Sequence, residues 1–373
     1  MKRLLALLAA VALVGVAVLI RGAIDGSGDG GTPGADGNGD GPLDLTCGPE
    51  LLAVCNSLAD ANSRIKVKVE PEADTAAKLA DGTLTPDDSW AWLAAGDWPA
   101  YEAASGEEMP ELASSEVLAR SPAVIVARTD RMGVLEAHCG AVDWACIGDS
   151  AGSAWSTVGG DPGWGPIKVG IPEPDDGQGM VALNQAVASR IGSSDFATND
   201  LDDPAVSAWF QRLEDLSGGG TSSTNPLVEF IRLPNSLSVV GAIESVAIQE
   251  LSSYAGADSL TVIAPEPVAT ADVQLWAADD ESLSKSMSVL VDAGLTDALA
   301  AAGWRVPETP GTGSQGTGSQ GGGGLGAGAT YRVRAASDSI GSDMVSFDTP
   351  LPDGSGLPRP GVVWTVNSRW EET

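Results

Sequence analysis

Strand-like and helix-like segments alternate from Leu43 to Ala302, and this alternation constrains the fold more than any other feature of the chain. Leu43–Thr46 reads as a short strand, and Pro49 suits the start of a helix over Glu50–Asn62. Ile65–Glu70 alternates apolar and charged residues as a strand does, and Ala73–Ala80 reads as a short helix closed by Gly82. Ala123–Ala127 is a near-continuous β-branched run, the pattern of a buried strand. Beyond it come a helix at Asp130–His138, a strand at Ile167–Gly170, and helices at Met180–Ile191 and Ala205–Leu216. Leu237–Ile243 is a strand leading into a helix at Val246–Tyr254. Leu260–Ala264 and Val273–Ala278 are strands, and Glu281–Ala302 is mostly helical. Such order predicts an α/β architecture with largely parallel sheets.

Both ends of the chain differ from this middle. Lys2 and Arg3 precede an unbroken apolar run, Leu4 to Ile20, that ends at Arg21. The run is longer than a signal-peptide core of about 7–15 residues and approaches the roughly 17–25 that span a bilayer. No clean small-x-small cleavage site follows, and no Cys follows closely enough to carry a lipid. An uncleaved signal anchor is expected, with the body outside the cell membrane; a cleaved signal peptide is the alternative. Residues 22–42 read as a flexible, charged linker. Within it Asp36, Asn38 and Asp40 imitate the opening of a calcium loop, but the twelfth position is Cys47 instead of a bidentate Glu. Residues 307–329 form a second low-complexity stretch in which GTGSQ occurs twice. The tail, residues 330–373, carries a short apolar strand at Val362–Val366 and is expected to pack on the body.

Charge and cysteines narrow the function. The 51 acidic residues against 20 basic give a net charge of −31, with no Lys/Arg cluster, which argues against nucleic-acid binding. Cys47 and Cys55 are neighbours in sequence, as are Cys139 and Cys146. An oxidising exterior favours pairing, and the two local pairs are expected. Eight helical residues rise about 12 Å, beyond the roughly 7 Å a disulfide tolerates. A Cys47–Cys55 bond therefore predicts that no single straight helix joins them.

Catalytic patterns fail on inspection. Gly148-Asp-Ser150-Ala-Gly152 matches the nucleophile elbow, which needs strand, serine, helix and a later histidine. The only histidine, His138, precedes the serine. His138 beside Cys139 lacks the further ligands a zinc site requires. No phosphate-binding loop is present, so neither an enzyme nor a cofactor or metal is expected. Acidic pairs such as Asp87-Asp88 and Asp175-Asp176 read as solvated loops with some promise as ligand contacts. Eleven tryptophans outnumber Phe and Tyr together. Trp90, Trp92, Trp98, Trp144, Trp155 and Trp164 fall in inferred loops, where rings either stack on ligands or fill gaps between elements.

Several stretches in order resemble the type 2 extracellular solute-binding proteins of bacteria. They are most similar to the binding body of surface proteins that also carry a von Willebrand factor A domain. The first is Ser121-Pro-Ala-Val-Ile-Val-Ala127, similar to that family's crossover strand. The second runs from Trp144 through Trp155, Gly159-Gly160 and Trp164-Gly165 to Glu173-Pro174 and a helix opening at Gly179. The third is Glu244–Tyr254, then Leu260–Ala264 with Pro265-Glu266. Gly177-Gln178-Gly179 stands where the family has Ser-x-x-Gly, and the A domain's metal motif is absent.

The resemblance implies a two-lobed α/β fold, with residues 43–127 and 259–306 forming lobe 1 and residues 128–258 lobe 2. It places a ligand between the lobes, where helix N-termini favour oxygen-rich groups. By resemblance the cleft is lined by Thr46, Cys47 and Gly48, by Ser89 and Trp90, and by Gly177, Gln178 and Gly179. Glu244 and Ser245 complete it, with Pro265 and Glu266 at the rim. These loops contain no Lys or Arg, so a neutral or cationic organic solute is expected over an oxyanion. The implied function is a tethered extracellular binding protein that closes by hinge motion near Ala127 and Val273, with a transporter permease as an open partner. The rival is a surface scaffold or sensor partner that kept the fold and lost the ligand.

Overall fold

The computed structural model describes residues 41–218, 225–233, 235–307, 331–332, 351 and 354–371. The N-terminal apolar run, its linker through residue 40 and most of the Gly-rich stretch lie outside the described residues. Among the described residues no helix is long and apolar enough to cross a membrane.

The sheet begins with β1 (Leu43–Cys47), which leads through a 3-10 turn at Pro49–Leu51 into α1 (Leu52–Ala61). β2 (Ile65–Val69) and α2 (Glu72–Ala80) follow, then β3 (Trp90–Ala95) and α3 (Trp98–Ala103). After β4 (Ala113–Ser114) comes the long strand β5 (Ala119–Arg128). Next are α4 (Thr129–Cys139), α5 (Trp144–Ser150), β6 (Val169–Gly170) and α6 (Gly177–Ile191). α7 (Pro204–Gly218), α8 (Pro226–Arg232), β7 (Val239–Ile243) and α9 (Glu244–Ser252) lead to β8 (Leu260–Ile263) and β9 (Thr270–Ala277). α10 (Asp280–Asp292) and α11 (Leu295–Ala301) follow, separated by Gly294 at φ 87°. A two-residue pair, β10 (Val306–Pro307) with β11 (Tyr331–Arg332), precedes the last helix, α12 (Pro360–Glu371).

The strands form one mixed sheet in the order β2-β1-β3-β9-β5-β7-β6, with β4 beside β9 and β8 beside β5. Parallel pairing is confined to β1 with β2 and β3, and to β6 with β7. The five remaining pairings of this sheet are antiparallel, which corrects the expectation of mostly parallel strands. The reason lies in β5 and β9, which join the two ends of the sheet and run against the strands they meet.

β5 changes partner in mid-strand. Ala119–Pro122 pair with β9, and Ala123–Ala127 pair with β7. Pro122 stands at the change, where a residue without an N–H interrupts the ladder at least cost. The return path is residues 264–269, between β8 and β9. Partner exchange therefore sits at Pro122–Ala123 and at this segment, each a few residues from the Ala127 and Val273 expected for the hinge; Val273 pairs within the sheet with Ala119.

Two apolar clusters fill the ends of the sheet, one around Leu45, Leu93 and Trp304, the other around Ile125, Trp144 and Leu183. Trp90 and Trp92 belong to β3, a strand missed because its run Trp-Ala-Trp-Leu-Ala-Ala was read as a loop. Trp90, Trp92, Trp98, Trp144 and Trp155 are all buried, so these rings fill gaps between elements. The expected strand at Val362–Val366 is instead part of α12, since β-branched residues at helical spacing pack onto α6 and α3. Asn367 joins Asn184 of α6 by a buried 3.0 Å hydrogen bond.

Both disulfides link the local pairs, Cys47–Cys55 with 6.8 Å between Cα atoms and Cys139–Cys146 with 6.0 Å. Gly48 and the 3-10 turn break the path between Cys47 and Cys55. That break satisfies the distance argument. Ser150 is buried at the end of α5. The G-x-S-x-G run therefore forms the end of a helix, where a nucleophile elbow would need a strand before the serine.

Candidate functional site

The first turns of several helices meet where the two ends of the sheet face each other. Pro49 starts the turn into α1, as Pro suits a first helical position, and places Glu50 beside it. Asp176 caps α6 through a 2.7 Å bond accepted from Gly179 N–H. Gly179 itself is required there, because a Cβ would fall 1.6 Å from the Glu173 carbonyl oxygen. The glycine of this helix start thus reflects a close backbone approach that only glycine permits, and Asp176 supplies the cap that a serine would give.

The two sides are in contact. Ala73 N–H donates to the Asp175 carbonyl at 3.0 Å, joining α2 to the segment before α6. A Cβ on Gly177 would lie 2.3 Å from Glu50 Oε1 and 2.4 Å from the Ala95 carbonyl oxygen. The Glu72 carboxyl lies directly against Gly48, where a Cβ would meet Oε1 at 1.9 Å, and it accepts from Ala95 N–H at 3.3 Å. The Glu72 carboxyl therefore fills the space beside the Gly48 Cα, while the Gly48 N–H itself donates to the Leu93 carbonyl at 3.3 Å.

Three carboxyls gather here without a cationic neighbour: Glu50, Glu72 and Asp176. Burial is the main influence on each. It pushes Glu72 up to about 8, with the Asp176 charge adding to the rise. It holds Glu50 well above the usual carboxylate range, reinforced by Glu72, and Asp176 likewise, reinforced by Glu50.

Beside this cluster a cavity of about 560 Å³ opens to the surface, bounded by α1, the Asp175–Gln178 corner and α9. Its walls combine apolar Pro49, Leu52, Ala53, Pro71 and Val246 with acceptor-rich Glu50, Asp175, Asp176, Gln178 and Glu250. Gln178 is 3% exposed, and its Oε1 has no hydrogen-bond partner. Neither carboxyl oxygen of Glu50, a residue 6% exposed, has a hydrogen bond of good geometry, although the Glu50 and Gly177 N–H groups and the Glu72 carboxyl all act on it at short range. No Lys, Arg or His lines the cavity. Among the described residues no group of His, Cys, Asp and Glu is disposed to hold a metal ion.

The expected ligand set separates on this geometry. Gln178 borders the cavity directly, and Gly48 and Gly177 form the crowded wall behind it. Thr46 and Gly179 are buried, and Cys47 is buried in its disulfide. Ser89 and Trp90 stand at the wrong end of β3. Trp90 is level with Asp44, while Leu93, level with Cys47, lies three residues nearer the site. Missing β3 displaced that expectation along the strand.

Glu244 is buried and engaged by Arg305, whose Nε donates at 2.8 Å while Nη2 donates to the other oxygen. Ser245 is fully buried, and its N–H donates to Ser121 Oγ at 2.9 Å. Glu266 is exposed on the segment that Gln185 holds through the Pro265 and Pro267 carbonyls. Neither Glu244, Ser245 nor Glu266 borders the cavity.

Sequence reasoning missed Glu50, Glu72 and Arg305. Glu50 and Arg305 are ionisable residues in an apolar context, Glu50 before Leu51-Leu52 and Arg305 between Trp304 and Val306, whereas Glu72 lies in a charged run with Glu70 and Asp74. That placement was the available signal for Glu50 and Arg305, and Glu72 had none.

No protein-family model matches the sequence, and no curated protein is significantly similar to it. Its fold does have solved relatives. The periplasmic binding protein AfuA from Actinobacillus pleuropneumoniae, in a structure with fructose-6-phosphate bound, aligns with a TM-score of 0.50 at 10% identity. That alignment covers 89% of this chain and 98% of AfuA. FutA2 from Synechocystis PCC6803 aligns at TM-score 0.49 and 11% identity, over 88% of this chain and 96% of FutA2. The chain has the fold of the periplasmic solute-binding proteins. The comparisons add nothing on a von Willebrand factor A partner.

Proposed function

We propose that this protein captures a small organic solute, neutral or cationic, in the cavity bounded by α1, the Asp175–Gln178 corner and α9. The carrying observation is the buried, unpartnered acceptor Gln178 Oε1 on a wall that also carries the poorly satisfied Glu50 carboxyl. A buried acceptor without a donor costs roughly 1–3 kcal/mol, and a ligand carrying donors would recover that loss. The fold shared with AfuA, which binds a sugar phosphate, supports solute capture in general terms. Its phosphate does not carry over to this reading, because the cavity is lined by carboxyls and by no Lys, Arg or His, and the Gly48 N–H is taken by the Leu93 carbonyl.

The test is a thermal-shift screen of sugars, polyols, amino acids and amines, followed by titration calorimetry with the wild-type protein and Gln178→Ala. A hit weakened at least about tenfold by the substitution is expected. Absence of any hit at millimolar concentration would remove the reading.

The contacts across the sheet favour a second reading, in which the body is a scaffold or sensor partner that no longer opens. The Ala73–Asp175 bond and the Gly177–Ala95 packing hold the two sides together without solute. X-ray scattering that is unchanged by every binder and by pH would support that alternative.

The apolar run Leu4–Ile20 underlies the proposal that the body is tethered outside the cell membrane. Resistance to carbonate extraction, together with cleavage of the body by protease added to intact cells, is the expected result.

A further inference from the structure

We infer that the cavity takes a primary organic ammonium, and that the ammonium enters in exchange for a proton held by the Glu50–Asp176 carboxyls. The inference rests on the solute-capture reading above and names the ligand chemistry at that site.

The first support is donor–acceptor count. The ionisable groups on the wall are all carboxylic: Glu50 from the turn into α1, Asp175 and Asp176 from the corner before α6, and Glu250 from α9. Glu72 of α2 stands behind Glu50 and couples to it. Gln178 adds a buried carbonyl oxygen with no donor. A primary ammonium has three N–H donors and no acceptor. It therefore suits a wall whose ionisable groups are all carboxylic and whose Gln178 Oε1 is a buried acceptor without a partner. The apolar stretch Leu52, Ala53 and Val246 would cover a short hydrocarbon body.

The second support is charge balance. Glu50, Glu72 and Asp176 lie close together away from water, with Asp175 and Glu250 also facing them. No guanidinium, ammonium or imidazole lines the cavity in opposition. Three uncompensated anions at such spacing are unfavourable, so the empty site retains protons. Burial of Glu50 and Asp176 raises both carboxyls in the same direction. When R–NH₃⁺ enters, one carboxylic acid becomes carboxylate, the ammonium keeps its three hydrogens, and one H⁺ leaves to solvent. The net charge of the site is unchanged by the exchange. Lower pH opposes binding because the proton competes. Higher pH favours binding until the amine itself loses its charge.

Geometry also separates this ligand from a metal ion, since no described cluster presents convergent metal ligands. The experiment is titration calorimetry of the full chain with butylamine, putrescine and the neutral isosteres butan-1-ol and butane-1,4-diol, at pH 5.5 and pH 8. Each is repeated in two buffers of different ionisation heat. Side-chain amide NMR of Gln178 locates the site. The expected result is that the amines bind and the alcohols do not. Affinity should rise by up to about tenfold per pH unit, with close to one proton released. Glu50→Gln should weaken the amines at least about tenfold and abolish the proton release. The exposed Glu266→Gln should do neither.

An alcohol that binds and shifts the Gln178 amide while the amines do not would overturn the ammonium inference and leave solute capture standing. Amine binding without proton release, or unaffected by Glu50→Gln, would overturn the exchange. Silence of all four probes together with an empty solute screen would overturn both readings.

Discussion

Glu50 and Glu244 both open helical turns, both are more than nine-tenths buried, and they have opposite surroundings. Glu244 receives the guanidinium of Arg305, which comes from beyond α11, 61 residues away in sequence. Burial lifts the Glu244 carboxyl above its usual range, and Arg305 opposes that lift. Glu50 meets other carboxyls instead, and its oxygens find no donor of sound geometry. A buried acid with a fixed counter-ion is part of the framework. A buried acid without one is available to a proton or to a cation from outside.

That contrast breaks most easily at the paired site. Arg305→Met would leave Glu244 buried and uncompensated, and should destabilise the fold by about 3–5 kcal/mol. Glu50→Gln replaces a carboxyl held protonated by a neutral isostere, and should cost less than about 1 kcal/mol. Urea unfolding of the two variants checks the pair. Equal losses would mean that the two environments do not differ as described.

pH provides the next largest effect. Glu72 titrates near 8 in the folded chain, against about 4.5 for an unperturbed side chain. Between these values the folded protein binds more protons than the unfolded one, so stability falls as pH rises across that window. The slope from one such group approaches roughly 1.4 kcal/mol per pH unit. Glu72→Gln keeps an acceptor for Ala95 N–H and removes the titration. Its unfolding free energy should be flatter than wild type between pH 5 and pH 8. A wild-type protein whose stability is level or rising over that range would contradict the uncompensated cluster.

The contrast also shows what could be read from sequence. Periodicity found α4, α6, α7 and the core of β5, because their apolar spacing is local. It missed β3, whose six buried residues carry no alternation to distinguish strand from loop. The site was less legible than the fold. Gln178 and the glycines beside it do fall at the start of α6, because a helix start is set within a few residues. The Glu244–Arg305 pair and the Glu50–Glu72–Asp176 cluster are assembled from distant segments, and no local pattern announces which acid will meet a cation. The parallel bias failed for a related reason: alternation counts elements but does not say that β5 and β9 cross between the ends of the sheet.

A smaller perturbation tests how tightly the two sides are joined. Gly177→Ala would push a methyl to within 2.3 Å of Glu50 Oε1 and 2.4 Å of the Ala95 carbonyl. The backbone carbonyl cannot move aside as a side chain can, so a loss of about 1–3 kcal/mol is expected. Separation of α6 from β3 should appear as faster hydrogen exchange of the Ala95 amide. A neutral substitution would show that the contact between the sides is loose enough to open without solute.

The smallest effect belongs to a third kind of carboxylate, paired but near water. Glu70 accepts from Lys78 Nζ at 2.6 Å and from Thr75 Oγ1 at 3.0 Å, and Lys68 Nζ lies 2.7 Å away. Burial raises its carboxyl, yet the two ammonium groups and the hydroxyl together hold it below the usual range. Its linkage therefore has the opposite sign to that of Glu72. The stability it contributes is present above the unfolded carboxylate range and is lost as pH falls through the folded value. Lys78→Met should cost under about 1 kcal/mol at neutral pH, because both lysines are substantially solvated. Added salt should shrink even that difference. A loss as large as that of Arg305→Met would mean that proximity to a cation, and not exclusion of water, governs what a carboxylate contributes in this molecule.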